Sequence, residues 1–200
     1  ARRTEILEAD LDIEDEDLIP NESIIVSLTD SGYIKRVPED TYRIQNRGGK
    51  GIKGMSTEEG DDVGHIISMM SHDYLLLFTN KGKVYRIKGY QVPASSRVSK
   101  GLPLVNLIEL DDDELVQTMV SVKYFGDDHF MFFATRKGVV KRTSLSEFSS
   151  IRQNGKIAIK LREDDELAFA KLTDGKQQIY LGSSEGKLVR FDEDSIRTLS

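Results

Sequence analysis

Short apolar runs, each ending in a polar tip that carries glycine, set the rhythm of this chain. Tyr74-Leu75-Leu76-Leu77-Phe78 and Phe130-Met131-Phe132-Phe133 are rich in residues that suit a pleated surface, and their length is that of strands. Asn80-Lys81-Gly82 follows the first run where a tight hairpin needs a residue at positive φ. No stretch shows the periodicity of an amphipathic helix of any length. The longest apolar runs, Leu75 to Phe78 and Phe130 to Ala134, are far too short to cross a bilayer as helices.

The same unit returns along the chain. SLTDSGYIKRV from Ser27, LFTNKGKVYRI from Leu77, FATRKGVVKRT from Phe133 and LGSSEGKLVRF from Leu181 align from apolar stretch through polar tip to a strand ending near arginine. Their glycines, Gly32, Gly82, Gly138 and Gly186, are spaced by 50, 56 and 48 residues. Four residues after each stands an arginine: Arg36, Arg86, Arg142 and Arg190. A second glycine keeps step, with Gly51 and Gly101 each 19 residues after the hairpin glycine and Gly155 17 after. Acidic pairs before apolar strands form a third landmark: Asp61-Asp62-Val63, Asp113-Glu114-Leu115 and Asp165-Glu166-Leu167. Several short strands per repeat, joined by glycine-bearing hairpins, predict an all-β array of propeller-like blades. Repeats are expected near 23–63, 64–114, 115–166 and 167–200, after an acidic linker over 1–22.

Composition changes this picture little, but charge distribution changes it more. The chain is 38% hydrophobic and 31% charged, as folded domains are, and the absence of cysteine excludes disulfides and thiolate metal sites. It begins at Ala1 without a methionine and reads as a piece of a longer protein; the basic N-terminus has no apolar segment behind it to make a secretory signal. The net charge of −6 hides strong segregation. Residues 1–31 hold ten acids and two bases; residues 81–108 hold six bases and no acid; residues 136–162 hold eight bases against Glu147 alone. Basic segments therefore recur at intervals between acidic runs.

Candidate chemistry concentrates where the second glycine lies. Gln45-Asn46-Arg47-Gly48-Gly49-Lys50-Gly51, followed by Lys53, interleaves cations with glycines whose amides can approach a ligand closely. Such a loop suits phosphate oxygens. The later loops carry Arg97 and Lys100, then Arg152 and Lys156, without the double glycine. Hairpin and strand cations complete the candidate set: Lys35, Arg36, Arg43, Lys81, Lys83, Arg86, Lys137, Lys141 and Arg142. The four hairpin arginines have a second reading, as links to acids of a neighbouring blade. Catalysis finds no support. Gly182-Ser183-Ser184-Glu185-Gly186 matches a nucleophile elbow, but a strand rather than a helix follows it. Asp10 to Asp17 has Asp15 where a calcium loop requires glycine, and His65, His72 and His129 show no metal spacing.

These landmarks carry a family resemblance. DLDIEDEDLIPNE (Asp10 to Glu22), SGYIKR (Ser31 to Arg36) and YRIQNRGGKG (Tyr42 to Gly51) resemble the C-terminal domain of DNA gyrase A, part of a bacterial type II topoisomerase. The last contains that family's basic box, usually QRRGGKG, with Asn46 replacing the first arginine. The resemblance implies a six-bladed β-pinwheel whose blades exchange strands, four blades of which fall within this chain. It implies that duplex DNA wraps around the outer rim and that this wrapping gives the enzyme its negative-supercoiling direction. It also implies no cofactor in this region, because ATP and Mg serve gyrase B and the cleavage core. The implied partners are double-stranded DNA, the rest of gyrase A, and gyrase B in an A2B2 assembly, in the cytoplasm at the nucleoid and away from membranes. The corresponding domain of topoisomerase IV, whose box is degenerate, and a propeller that binds protein partners are the alternatives.

A rim of spaced cations matches the mechanics of wrapping. Bending 20–30 base pairs by 40–90° costs on the order of 1–6 kcal/mol. Many phosphate contacts along an arc meet that cost with little need to read bases. Intervening acids are expected to keep DNA off the wrong face.

Overall fold

The computed structural model describes residues 15–43 and 61–200. Four hairpins follow one another: β1 (Ser23–Thr29) with β2 (Tyr33–Pro38), β4 (Tyr74–Thr79) with β5 (Lys83–Lys88), β8 (Phe130–Thr135) with β9 (Val140–Ser144), and β12 (Gln178–Gly182) with β13 (Leu188–Asp192). Between them lie β3 (Val63–Met70), β6 (Leu102–Pro103), β7 (Val116–Val122), β10 (Lys156–Ile157) and β11 (Leu167–Thr173). The α-helix among the described residues is one turn, α1 (Asp40–Arg43), and no helix is long and apolar enough to cross a membrane. The fold is all-β, built of antiparallel sheets repeated as blades, as the periodicity predicts.

Sheet membership shows how consecutive blades are laced together. The sheets run β3-β1-β2-β6, β10-β5-β4-β7, β11-β8-β9 and β12-β13. Each of the first three hairpins receives a strand from further along the chain on its first strand: β3 on β1, β7 on β4, β11 on β8. The first two hairpins also receive a two-residue strand on their second strand, β6 on β2 and β10 on β5. That short strand starts beyond the next hairpin, so the connecting loop returns across the seam between blades. Among the described residues the first two sheets have four strands each, the third three and the last two.

The core lies between sheets, which explains the uninterrupted apolar runs. Leu75 and Leu77 of β4 pack with Ile24, Val26 and Ile34 of the first sheet. Leu76 and Phe78, on the opposite face of β4, pack with Met131, Phe133, Leu145 and Phe148 of the third blade. A strand covered on both faces needs no polar alternation. Phe78 stands edge-on to Phe133 and Phe148, with ring centroids 5.4 and 5.9 Å away. Truncating such a phenylalanine to alanine costs about 3–5 kcal/mol.

Glycine is required at the hairpin tips. The amide of Gly82, at φ +78°, donates to the Thr79 carbonyl at 3.0 Å, and a Cβ there would stand 2.4 Å from the Ile159 carbonyl oxygen. Acidic residues close the same tips from the side. Asp61 accepts from the Ser31 amide at 3.0 Å, Glu114 from the Thr79 hydroxyl at 2.8 Å, and Asp165 from the Lys137 amide at 3.0 Å. Strand register makes these three equivalent, since Thr29 pairs with Val63, Thr79 with Val116 and Thr135 with Leu167. Alignment of the repeats by sequence instead matches Asp113 to Asp61 and Asp165, one residue out of step. All three ladders bulge alike beside the threonine, and the mismatch arises because Leu115 stands between Glu114 and Val116 where the other repeats carry a second acid.

Candidate nucleic-acid interface

The two described inter-blade loops are built alike. After the second hairpin the chain turns at Gly89, crosses to the first sheet, and pairs Leu102 and Pro103 with Ile34 and Tyr33. After the third hairpin it turns at Leu145–Phe148, crosses to the second sheet, and pairs Lys156 and Ile157 with Val84 and Lys83. Each loop presses a glycine onto the strand beneath. A Cβ on Gly101, at φ +93°, would stand 2.6 Å from the Ile34 carbonyl oxygen; one on Gly155 would stand 2.9 Å from the Tyr85 ring. The second landmark glycine therefore marks the point where a loop from one repeat lies flat on the previous blade.

Different side chains support the two loops from the same hairpin position. Beneath the first is Lys35, 4% exposed, whose ammonium donates to the carbonyls of Ser96 (3.3 Å), Arg97 (2.8 Å) and Ser99 (2.6 Å). Burial, with Arg97 nearby, holds its pKa below the ordinary lysine range. Beneath the second is Tyr85, whose one hydroxyl proton is shared between the Glu109 carbonyl oxygen at 2.8 Å and Glu114 Oε1 at 2.6 Å; burial and this carboxylate push its pKa up. In the third blade Lys141 donates to the Ala158 carbonyl at 3.0 Å, and burial again lowers its pKa.

Cations sit on the outside of these loops. Arg97 and Lys100 are half-buried, with Lys100 Nζ 4.1 Å from the centre of the Tyr33 ring. Arg152 is exposed, and Lys156 donates to the Glu147 carbonyl at 2.6 Å with that residue's carboxylate at 3.8 Å. Lys83 lies 5.2 Å from the Tyr85 ring centre. A cleft of about 510 Å³ beside the second sheet is lined by Arg86, Lys88, Arg152 and Gln153, among others. Lys88 is absent from the sequence candidates because no repeat landmark falls on it.

Several sequence candidates occupy other places. Lys81 and Lys137 sit at hairpin tips among carboxylates: Lys81 Nζ lies 2.5 Å from Asp113 Oδ2, and Lys137 Nζ donates to the Glu163 carbonyl at 3.1 Å. Lys35 and Lys141 point into loop undersides, as above. Three of the four hairpin arginines reach the following repeat, Arg142 through an acid and Arg36 and Arg86 through main-chain carbonyls, while Arg190 is exposed. Arg36 Nε donates to the Val92 carbonyl at 2.6 Å, and its backbone bonds Pro93 and Ser95. Arg86 lies 4.7 Å from the Tyr74 ring centre and donates to the Ser149 carbonyl. Arg142, 8% exposed, stands 4.5 Å from the Phe130 ring centre, with Glu193 Oε1 3.4 Å from Nη1. Glu193 is itself fully buried and accepts from the Thr173 hydroxyl at 2.7 Å and the Gln177 amide at 2.8 Å. Each of these three arginines thus reaches the segment that follows the next hairpin or its closing turn. Arg43 closes α1, and Gln45, Asn46, Arg47, Gly48, Gly49, Lys50, Gly51 and Lys53 lie outside the described residues. Among the described residues no three His, Asp or Glu side chains are placed to hold a metal.

The profile of the DNA gyrase C-terminal domain, a β-propeller, matches residues 23–68, 73–123, 129–174 and 177–200. The chain belongs to this family. Each of the first three matched segments holds a hairpin and the strand added to it, and the fourth a bare hairpin, while β6 and β10 fall in the segment after the sheet they complete. The DNA gyrase A protein of Staphylococcus aureus strain MRSA252 is 54% identical over 200 residues, covering 99% of this chain and 23% of that protein. The same protein of strain NCTC 8325 / PS 47 is 54% identical over 99% of this chain and 22% of its own length. This chain thus spans less than a quarter of these relatives. Among solved structures, the C-terminal domain of DNA topoisomerase IV aligns with a TM-score of 0.76 at 28% identity, over 90% of this chain and 55% of that one. The DNA gyrase A C-terminal domain aligns with a TM-score of 0.69 at 29% identity, over 89% and 57%. Gyrase family members and their topoisomerase IV counterparts share this blade architecture, while the higher sequence identity lies with gyrase.

Proposed function

We propose that this chain is a non-catalytic domain that binds duplex DNA along the row of inter-blade loops and wraps it. In this reading the wrap presents the following DNA segment in the orientation that a type II topoisomerase turns into negative supercoils. The observation that carries the proposal is the recurrence of one loop, seated by one glycine on the preceding blade, with Arg97 and Lys100 in one copy and Arg152 and Lys156 in the next. Cations at the same station of successive blades meet a bent phosphate backbone at intervals, and require no base readout. In sequence, the basic box over Gln45–Gly51 ends 19 residues after its hairpin glycine, as Gly101 lies 19 after Gly82, which supports counting it with these loops.

On this proposal the cleavage and ATP chemistry, with its Mg, belongs to other parts of a gyrase assembled with gyrase B. The protein then works in the bacterial cytoplasm on the nucleoid. Nicked circular plasmid bound by the chain, sealed with ligase, stripped and resolved on a gel tests the wrapping directly. A shift toward positive linking number that grows with protein dose is the expected result. Salt-sensitive binding without any shift would remove chirality from the reading, and the absence of binding at low salt would end it.

A further inference from the structure

Lys35 is a buried cation whose partners are all main-chain oxygens. Its ammonium has three donors, and the carbonyls of Ser96, Arg97 and Ser99 take all three. A lysine 4% exposed normally has a carboxylate beside it; here the charge is met by peptide dipoles that converge from one short loop. In a trans peptide the C=O and N–H point in opposite directions. The amides of Arg97, Val98 and Lys100 belong to the three peptides whose oxygens face Lys35, so these amides point away from it. Val98, at the loop's apex, is 76% exposed. The buried ammonium therefore fixes which face of the loop is turned outward, and that face carries successive N–H groups flanked by Arg97 and Lys100. Outward amides with flanking cations form an anion cradle.

We infer that Lys35 is a positioning residue for duplex binding: from beneath, it holds the 96–100 loop in the conformation that offers its amides and cations to a backbone phosphate. The inference rests on the reading of the loops as the DNA-binding row. It separates Lys35 from Lys141, which holds a single loop carbonyl, and from Tyr85, which occupies the equivalent position in the second blade. The first loop is thus the one whose conformation depends on a buried positive charge.

The test uses the whole chain, a linear random-sequence duplex, and affinity measured across a salt series. Removing one phosphate-binding cation makes the log–log salt slope shallower by about one. Arg97→Ala with Lys100→Ala is expected to make the slope shallower by about two. Lys35→Met, although it removes a side chain that DNA cannot reach, is expected to give the same shift while the far-UV circular dichroism stays unchanged. Adding Lys35→Met to the double variant then changes nothing further, since the loop no longer engages phosphate. Lys35→Arg, which keeps a cation with several donors, restores slope and affinity.

A wild-type slope in Lys35→Met, alongside a reduced slope in the double variant, overturns the inference and leaves the DNA-binding row intact. If Lys35→Met fails to fold, Lys35→Gln decides: it retains two donors but no charge. A folded Lys35→Gln with a wild-type slope overturns the inference, and one with the reduced slope supports it. Should both neutral variants fail to fold, Lys35 serves the global core and the local role is wrong. A double variant that binds as wild type refutes the DNA-binding row at this loop, and the inference with it.

Discussion

The hairpin tips and the inter-blade loops are made of similar residues and do opposite things with them. At the tips, Lys81 lies against Asp113, Arg136 Nε is 3.3 Å from Glu166 Oε2, and Lys137 holds the Glu163 carbonyl. Asp61, Glu114 and Asp165 bind the turns themselves. Charge at the tips is consumed in closing the structure. In the loops, the supporting groups lie underneath and the cations outside, with carbonyls turned inward toward Lys35 in the first copy. Net charge averages these two populations and so misrepresents both. The fold places Asp61, Glu114 and Asp165 at the hairpin tips and leaves the basic loops running along the seams.

On the proposed function, the largest effect comes from the basic box over Gln45–Gly51. Arg47→Ala with Lys50→Ala should abolish or greatly reduce supercoiling by the parent enzyme while relaxation without wrapping survives. Equal loss of both activities would mean that the box does not act through wrapping. Next, Arg152→Ala with Lys156→Ala should make the salt slope shallower by less than about two, the shift that a pair of fully available phosphate-binding cations gives. Lys156 is already engaged with Glu147, so less of its charge is available to a phosphate.

The tips respond in stability instead. Glu114, 4% exposed, accepts from both the Thr79 and Tyr85 hydroxyls. Glu114→Ala should cost about 1–3 kcal/mol, read from denaturant unfolding, because the Thr79 hydroxyl loses this acceptor while Tyr85 keeps the Glu109 carbonyl. The salt slope of the folded variant should not move. A changed slope would merge the two regions that the structure separates.

Acid should find the tips before the loops. The Ser31 hydroxyl and amide hold the Asp61 carboxyl below the ordinary carboxylate range, and Lys81 does the same for Asp113. A depressed folded-state pKa means stability that is present above the ordinary value of about 4 and is lost as pH falls through the folded value. The melting midpoint should therefore decline below about pH 4, and less steeply in Asp61→Asn. An unchanged slope in that variant would remove Asp61 from the effect. The smallest effect belongs to Lys81→Ala with Lys137→Ala, which should leave the salt slope of duplex binding where it is. A shallower slope would place the tips on the DNA path.

Much of this fold is legible in the chain because the repeat is written in residues with few structural alternatives. Gly82 and Gly101 sit at positive φ with carbonyl oxygens where a side chain would go, so spacing alone locates tips and seams. The double-sided burial of Tyr74 to Phe78 is equally visible as an unbroken apolar run. Lys35 is not legible as a buried residue. It stands beside Arg36 in a sequence that reads as a basic strand end, and the loop that covers it lies some sixty residues later. The four arginines that follow the hairpin glycines are visible as a set, but the role of Arg36, Arg86 and Arg142 as stitches depends on Val92, Ser149 and Glu193 in the following repeats. Register is hidden for a local reason: all three ladders bulge alike beside the threonine, but in the second repeat the acidic pair stands one place earlier, with Leu115 before Val116, so Glu114 rather than Asp113 is the equivalent of Asp61.

The most direct test of the contrast between loops and tips is the salt dependence of duplex affinity in three proteins measured side by side. These are the wild type, Arg97→Ala with Lys100→Ala, and Lys81→Ala with Lys137→Ala. The account predicts a slope shallower by about two in the loop variant and unchanged in the tip variant. Equal slopes in loop variant and wild type, or a reduced slope confined to the tip variant, would contradict it.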